Sequence, residues 1–508
     1  MIRGFLTVGV WTFASRVFGL LRDVMMAATL GTGPVAEAFY AAFALPNMFR
    51  AFFAEGAFTT AFVPMFARRL QGGEDPHGFA RDAFSGLGAI LLLLTLLANL
   101  AMPWLVLAMY SGFAGDGRFD LAVGFTRITF VYLPLIALAA LLAGVLNAAG
   151  RLAVPAAAPV LLNVVLIGAM VAAERMGWPV GPTLAWAVPV AGVVQFAAVW
   201  WAAARAGFAI RPRLPRLTPE MRELAIIAAP AFLAAGVVQV NLLVGRQVAS
   251  HYEGAVAWLY NADRLYQLPL AVVGIAVGVV LLPDLARRLR AGDEDGGRHS
   301  FCRATEFALA LTLPAAVALV VIALPLVSVL FERGRFGAAD SAATAQALAV
   351  YGLGLPAFVL QKVLQPLYFA RGDTRRPFRF ALVAMVANAG LAVGLAPFLG
   401  FLAAAWGTTI ASWLMVAQLW HGSRDMGIPA APDARLRARL PRIALAAAAM
   451  GLALWAGREW LGPALGAPGL RYGALAALVG GGMVAYAAAV QITGALRWSE
   501  VRAALRRG

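Results

Sequence analysis

Between residues 14 and 70 two apolar helical stretches, each long enough to cross a bilayer, carry Arg16, Arg22, Asp23, Glu37, Arg50 and Glu55. At the centre of a bilayer an Arg or Asp costs roughly 2.5 to 3.5 kcal/mol even on the most lenient insertion scale, so these side chains need partners, water or a ligand. The sequence therefore predicts a polar cavity inside an otherwise oily bundle. Arg16 and Asp23 are seven residues apart with Gly19 between them, which places them on one helix face. In the second stretch Pro46 predicts a kink that steers Arg50 relative to Glu37.

A chain of 508 residues that is 62% hydrophobic and 13% charged belongs to the polytopic membrane class. Its formal charge of +16 would suit a nucleic-acid binder. About two thirds of the 41 Lys and Arg residues, however, fall at predicted cytoplasmic positions, as the positive-inside rule requires, and few, such as Arg118 and Arg127, fall outside. Nucleic acid is thus not expected as a partner. The single cysteine, Cys302, excludes an internal disulfide, and His77, His251, His299 and His421 are too scattered for a metal site. The first apolar run contains Arg16 and no convincing cleavage site, so it reads as a retained helix rather than a signal peptide.

Hydropathy gives an all-α fold of about 14 transmembrane helices: 5–30, 35–66, 83–110, 120–147, 155–175, 182–204, 220–250, 256–286, 303–331, 341–370, 379–398, 401–421, 441–460 and 471–494. Segments rich in Pro and Arg at 207–219 and 424–442 divide them into a six-helix lobe at 1–212, a second at 213–425, and a pair at 426–508 that ends in a short amphipathic tail. A weak repeat supports the division. Pro64-x-x-Ala67-Arg68-Arg69-Leu70 recurs from Pro283 to Leu289, and Ala148-x-Gly150-x4-Pro155 recurs from Ala370 to Pro377. With an even number of helices per copy, the repeat predicts two parallel lobes around a central cationic cavity. Both termini are then cytoplasmic.

The second lobe repeats the chemistry, with Arg246, Asp263, Arg264 and Lys362, the chain's only lysine, in predicted spans. Taken alone, Arg16 with Asp23 or Arg264 with Asp263 also admits the reading of a buried pair that fixes helix packing, although adjacent Asp263 and Arg264 point about 100° apart. Taken together, Arg16, Arg22, Arg50, Arg246, Arg264 and Lys362 exceed Asp23, Glu37, Glu55 and Asp263 by about two charges. A diphosphate would balance that surplus, and the planar fork of Arg suits phosphate oxygens. The sequence contains no HExxH, GxSxG or GxxxxGK[ST] motif that would point to an enzyme.

The stretches ASRVFGLLRD, EAFYAAFALPNMFRAFFAEGAFTTAFVP, YNADRLYQLP and LQKVLQPLYFARGDTRRP resemble the MurJ (MviN) family of lipid II flippases, in the superfamily that also holds MATE drug exporters and polysaccharide flippases. The resemblance implies movement of undecaprenyl-diphosphate-linked disaccharide pentapeptide across the bacterial inner membrane for cell-wall synthesis, possible contact with the cell-wall machinery, and no cofactor. It also implies that Arg16, Arg22, Arg50 and Arg264 bind the diphosphate, with Asp23, Glu37, Glu55, Asp263 and Lys362 as supporting charges. Glu37 stands where the family usually has Asp, and the last helix pair resembles the family's groove for the polyprenyl tail. Some relatives bind sodium through acids on the seventh and eleventh spans. Here Asn241, Asn388 and Thr408 lie near such places without a carboxylate, so a weak monovalent cation site or dependence on membrane potential is expected. The alternatives are a flippase for another polyprenyl-diphosphate glycan and a MATE-type exporter, whose cationic substrates suit an acidic cavity.

Overall fold

The computed structural model describes residues 2–53 and 57–495; within them, the side chains of 2–6, 51–53, 57, 272–280 and several positions in 231–240 lie outside the description. The amphipathic tail and Glu55 therefore fall outside the described residues. The described chain is helical, and its isolated bridge joins Arg333 to Phe336. Ten segments among the described residues are long and apolar enough to cross a membrane, so the expected count of about 14 is not reproduced by length and composition alone.

The first compact unit comprises Met1–Ala257 with Arg333–Phe336. Its helices are α1 (Ile2–Leu30), α2 (Pro34–Phe53), α3 (Ala57–Gly72), α4 (Pro76–Leu100), α5 (Met102–Met109), α6 (Gly117–Thr129), α7 (Tyr132–Ala148), α8 (Ala153–Met176), α9 (Val180–Arg205) and α10 (Pro219–Ala249). Of the stretch expected as one helix over 35–66, the described residues are helical, in α2 and α3. Pro46 sits inside α2 without ending it. Proline has no N–H to offer the carbonyl four residues back, and here the Thr129 hydroxyl on α6 donates to that Ala42 oxygen at 2.8 Å.

The second unit comprises Trp258–Glu332 and Gly337–Gly508. Its helices are α11 (Ala255–Arg290, whose first residues belong to the first unit), α12 (Glu294–Val321), α13 (Ala323–Phe331), α14 (Ala338–Phe369), α15 (Arg375–Leu399), α16 (Leu402–Ser423), α17 (Ala434–Gly466) and α18 (Arg471–Thr493). Its core packs Leu285, Phe301, Val363, Leu367, Tyr368 and Leu419. Small residues let α17 and α18 close on their neighbours: a Cβ at Gly451 would meet Val317 at 2.7 Å, and one at Gly482 would meet Leu454 at 2.6 Å.

The repeat extends well beyond the two motifs. Gly31, Gly73, Gly115, Gly150, Gly177 and Gly207 have positive φ, and each has a positive-φ counterpart about 220 residues later, in Gly254, Gly292, Gly334, Gly372, Gly400 and Gly427. Each copy therefore reverses the chain at corresponding points with a conformation that residues bearing a Cβ avoid. The break before Pro103, between α4 and α5, recurs before Pro325, between α12 and α13.

Candidate functional site

Among the described residues of the first unit, candidate charges gather around Arg22 and around Glu37. On α1, Arg22 and Asp23 are both buried, at 7% and 3% exposure. Neighbouring side chains on a helix leave about 100° apart, yet the long arginine curls back and donates from Nε and Nη2 to Asp23 Oδ1 at 3.0 and 2.7 Å. Its Nη1 donates to Asn163 Oδ1 on α8 at 2.9 Å, and the guanidinium lies 5.7 Å from the Phe43 ring. Arg16, expected on the face of Asp23, is instead exposed, and the carboxylate is taken by Arg22. Arg16 lies nearly two turns from Asp23, whereas Arg22 is its immediate neighbour and reaches it directly.

The second cluster centres on Glu37, which is fully buried on α2. Its Oε2 accepts from Arg118 Nη1 on α6 at 2.9 Å, and its Oε1 accepts from the backbone N–H of Val256 in the first turn of α11 at 3.1 Å. A carboxylate there satisfies an N–H that the helix itself leaves unpaired and meets the positive end of the helix dipole. Arg118, expected from sequence as an outer-loop residue, also donates to the Gly112 carbonyl and lies 4.6 Å from the Phe113 ring. Its side-chain hydrogen bond, helped by its backbone N–H and its charge, outweighs burial and holds the Asp116 carboxyl below the ordinary aspartate value. Glu37 is thus engaged on two sides by protein groups.

Arg50 is half-buried near the end of α2 and donates from Nε to Asn47 Oδ1 at 3.1 Å, while Asn47 Nδ2 holds the Phe43 carbonyl at 2.8 Å. Arg246 on α10 is half-buried, and its Nη1 is sealed from solvent without a hydrogen-bond acceptor among the described residues. Asn241, on the same helix, is half-buried.

In the second unit Asp263 and Arg264 sit side by side on α11. Asp263 accepts from the Gln267 amide one turn on, and the Arg264 guanidinium lies 4.6 Å from the Tyr260 ring. Lys362 on α14 is exposed. Asn388 of α15 is buried against Gly407 of α16, where a Cβ would come within 2.8 Å of its Oδ1. The neighbouring Thr408 hydroxyl donates to its own helix, to the Ala404 carbonyl at 3.0 Å. No group of three His, Cys, Asp or Glu side chains fit for a metal ion occurs among the described residues.

Three participants escaped the sequence reading. Asn163 was visible as an amide within an apolar span, Arg118 as a cation on the sparsely charged outer side, and Glu306 as an acid at the start of a span. Glu306 is buried on α12 and accepts from Arg303, from Arg435 at 3.2 Å and from Arg439, tying α12 to α17. Their pairing depends on which helices become neighbours, which a single helical pattern does not encode.

A family model described as lipid II flippase MurJ matches residues 26–465. A protein of Rhizobium meliloti (strain 1021) named probable lipid II flippase MurJ is 44% identical over 523 residues, covering 100% of this chain and 97% of its own. The lipid II flippase MurJ of Burkholderia cenocepacia (strain J2315) is 34% identical, covering 90% of each chain. Among solved structures, lipid II flippase MurJ in an inward closed conformation superposes with a TM-score of 0.79 at 23% identity, over 96% of this chain and 98% of that one. An inward-facing MATE transporter of the MOP superfamily reaches 0.70 at 17% identity, over 82% and 95%. At those identities the structures speak for the fold, and the sequence matches speak for the family. With a family match across most of its length and a 44% identical relative aligned nearly end to end, this chain belongs to the MurJ family of lipid II flippases.

Proposed function

We propose that this protein moves lipid II, an undecaprenyl-diphosphate carrying the peptidoglycan disaccharide pentapeptide, from the inner to the outer leaflet of the bacterial inner membrane. The family is one of transporters rather than enzymes. The observation that carries the reading is Arg22, a guanidinium buried in an apolar bundle and held in one orientation by Asp23 and Asn163. Such a group is costly unless its charge is used, and a lipid-linked diphosphate is the anion that the family's substrate supplies. Arg16, Arg50 and Arg264 complete the proposed diphosphate set, with the buried acids lowering the cost of the empty site.

Transport proceeds by alternating access: the arginines capture the diphosphate from one leaflet and release it to the other while the polyprenyl tail stays in lipid. The α17–α18 pair, with exposed Leu445, Leu452 and Trp455, offers the tail an apolar surface. Asn241, Asn388 and Thr408 offer amide and hydroxyl oxygens rather than a carboxylate where the resemblance implies acids in sodium-coupled relatives, which supports membrane potential, or a weak monovalent cation site, as the drive. The deciding experiment depletes the resident flippase in cells that carry this protein and measures accessibility of the lipid-linked precursor in the outer leaflet. Arg22→Ala, Arg50→Ala and Arg264→Ala proteins that reach the membrane should each leave the precursor inside. Normal exposure by all three refutes the arginine mechanism, and no exposure by the unmodified protein refutes the function.

A further inference from the structure

We infer that Asn163, on α8, is a positioning residue for Arg22: it fixes the plane in which the guanidinium meets an anionic substrate group. The inference rests on Arg22 belonging to the diphosphate site. Asn163 is 4% exposed, so its amide has to find partners inside the protein. It finds both on α1, accepting from Arg22 Nη1 at 2.9 Å and donating from Nδ2 to the Ser15 carbonyl at 3.1 Å. Gly19 faces it, and even an added Cβ there would lie 3.7 Å from Nδ2, so the amide has room beside the α1 backbone.

The two bonds use opposite capacities of one side chain. An amide carries an acceptor and donors on the same plane, and here the acceptor meets the cation and the donor meets the carbonyl. Turning the amide over would set Oδ1 against the Ser15 oxygen and Nδ2 against the guanidinium, so the orientation is fixed. Aspartate at 163 would face a carbonyl oxygen and bring a second negative charge to Arg22, in competition with an incoming anion. Leucine would leave Nη1 without this acceptor.

Arg22 is thus held from two directions, with Asp23 on its Nε and Nη2 and Asn163 on its Nη1. Asp23 supplies charge. Asn163 supplies direction without cancelling more of the positive charge that attracts a diphosphate. Rigid support of this kind around a binding side chain sharpens affinity because less rotamer freedom is lost on binding.

The test measures binding of farnesyl diphosphate to the purified full chain in lipid nanodiscs, with unmodified protein, Asn163→Ala, Asn163→Asp, Arg22→Ala and the Arg22→Ala/Asn163→Ala double variant. Loss of a hydrogen bond to a charged group predicts binding about 10-fold weaker for Asn163→Ala. Asn163→Asp is expected to weaken it further, because the added carboxylate competes with the ligand. In the Arg22→Ala background the Asn163→Ala change should alter binding less than 2-fold, since the group it orients is gone. A merely structural asparagine would weaken binding equally with and without Arg22, and that result overturns the proposal. So does unchanged binding by Asn163→Ala while Arg22→Ala is impaired, an outcome that leaves the diphosphate reading intact. Unchanged binding by Arg22→Ala removes both. If Asn163→Ala does not fold, Asn163→Ser, too short to reach Nη1, is measured in its place with the same expectations.

Discussion

Removing the Glu37 carboxylate tests whether one buried acid ties three helices together at the α11 end of the first unit. In Glu37→Ala, Arg118 keeps the half-exposed Asp116 carboxylate, 2.7 Å away, and the Gly112 carbonyl but loses its buried acid, and the Val256 N–H at the start of α11 loses its acceptor. Breaking a buried ion pair by deleting one partner costs about 3 to 5 kcal/mol, and the surviving Asp116 contact places the loss near the lower end. The missing helix cap adds about 1 kcal/mol, for a total of about 4 kcal/mol. Glu37→Gln keeps the volume and one acceptor for Val256 but not the charge, so about 2 kcal/mol is expected. In an Arg118→Ala background, Glu37→Ala should cost only the cap, which leaves a coupling of about 3 kcal/mol. The assay is equilibrium unfolding in mixed micelles with increasing sodium dodecyl sulfate, followed by tryptophan fluorescence for the four proteins of the cycle and for Glu37→Gln. An equal cost for Glu37→Ala with and without Arg118, or a wild-type stability for Glu37→Gln, would refute the account of Glu37 as the charge that locks Arg118.

Three further expectations follow from the geometry. Thr129→Val removes the hydroxyl that serves the Ala42 carbonyl left open by Pro46, and should cost about 1 to 3 kcal/mol in the same unfolding assay, with Pro46→Ala/Thr129→Val recovering most of it. Gly112→Ala would place a Cβ 2.4 Å from the backbone of Ser250 and His251, atoms that no rotamer change can move aside, so a loss of about 1 to 3 kcal/mol is expected with release of the Gly112 N–H bond to Ser250 Oγ. At the start of α17, burial raises the Asp433 carboxyl, but the Leu436 N–H and the Arg303 charge outweigh it and hold its pKa below the ordinary 3.8. A depressed carboxylate stabilises the fold above its unfolded pKa and loses that contribution as pH falls through the folded value. The unmodified protein should therefore lose stability below about pH 4 more steeply than Asp433→Asn, and parallel acid profiles would contradict this.

The sequence by itself determined the class, the charge logic and the repeat. Long apolar runs admit little besides membrane helices, because backbone polar groups in hydrocarbon must be satisfied within the segment, and an arginine in such a run announces a purpose whatever surrounds it. The repeat was legible in two short motifs and reaches the backbone as paired left-handed glycines, since a chain reversal at a fixed place demands the same local residue in both copies. Tertiary structure alone decided the partners. Helical periodicity put Arg16 and Asp23 on one face, but side-chain reach and the approach of α8 gave the acid to Arg22 and the arginine to Asn163. Likewise Glu37 found Arg118, 81 residues away, because α2 and α6 pack together. Hydrogen bonds and ion pairs depend on ångström distances between helices, and those distances arise from the packing of the whole bundle rather than from any one stretch of chain.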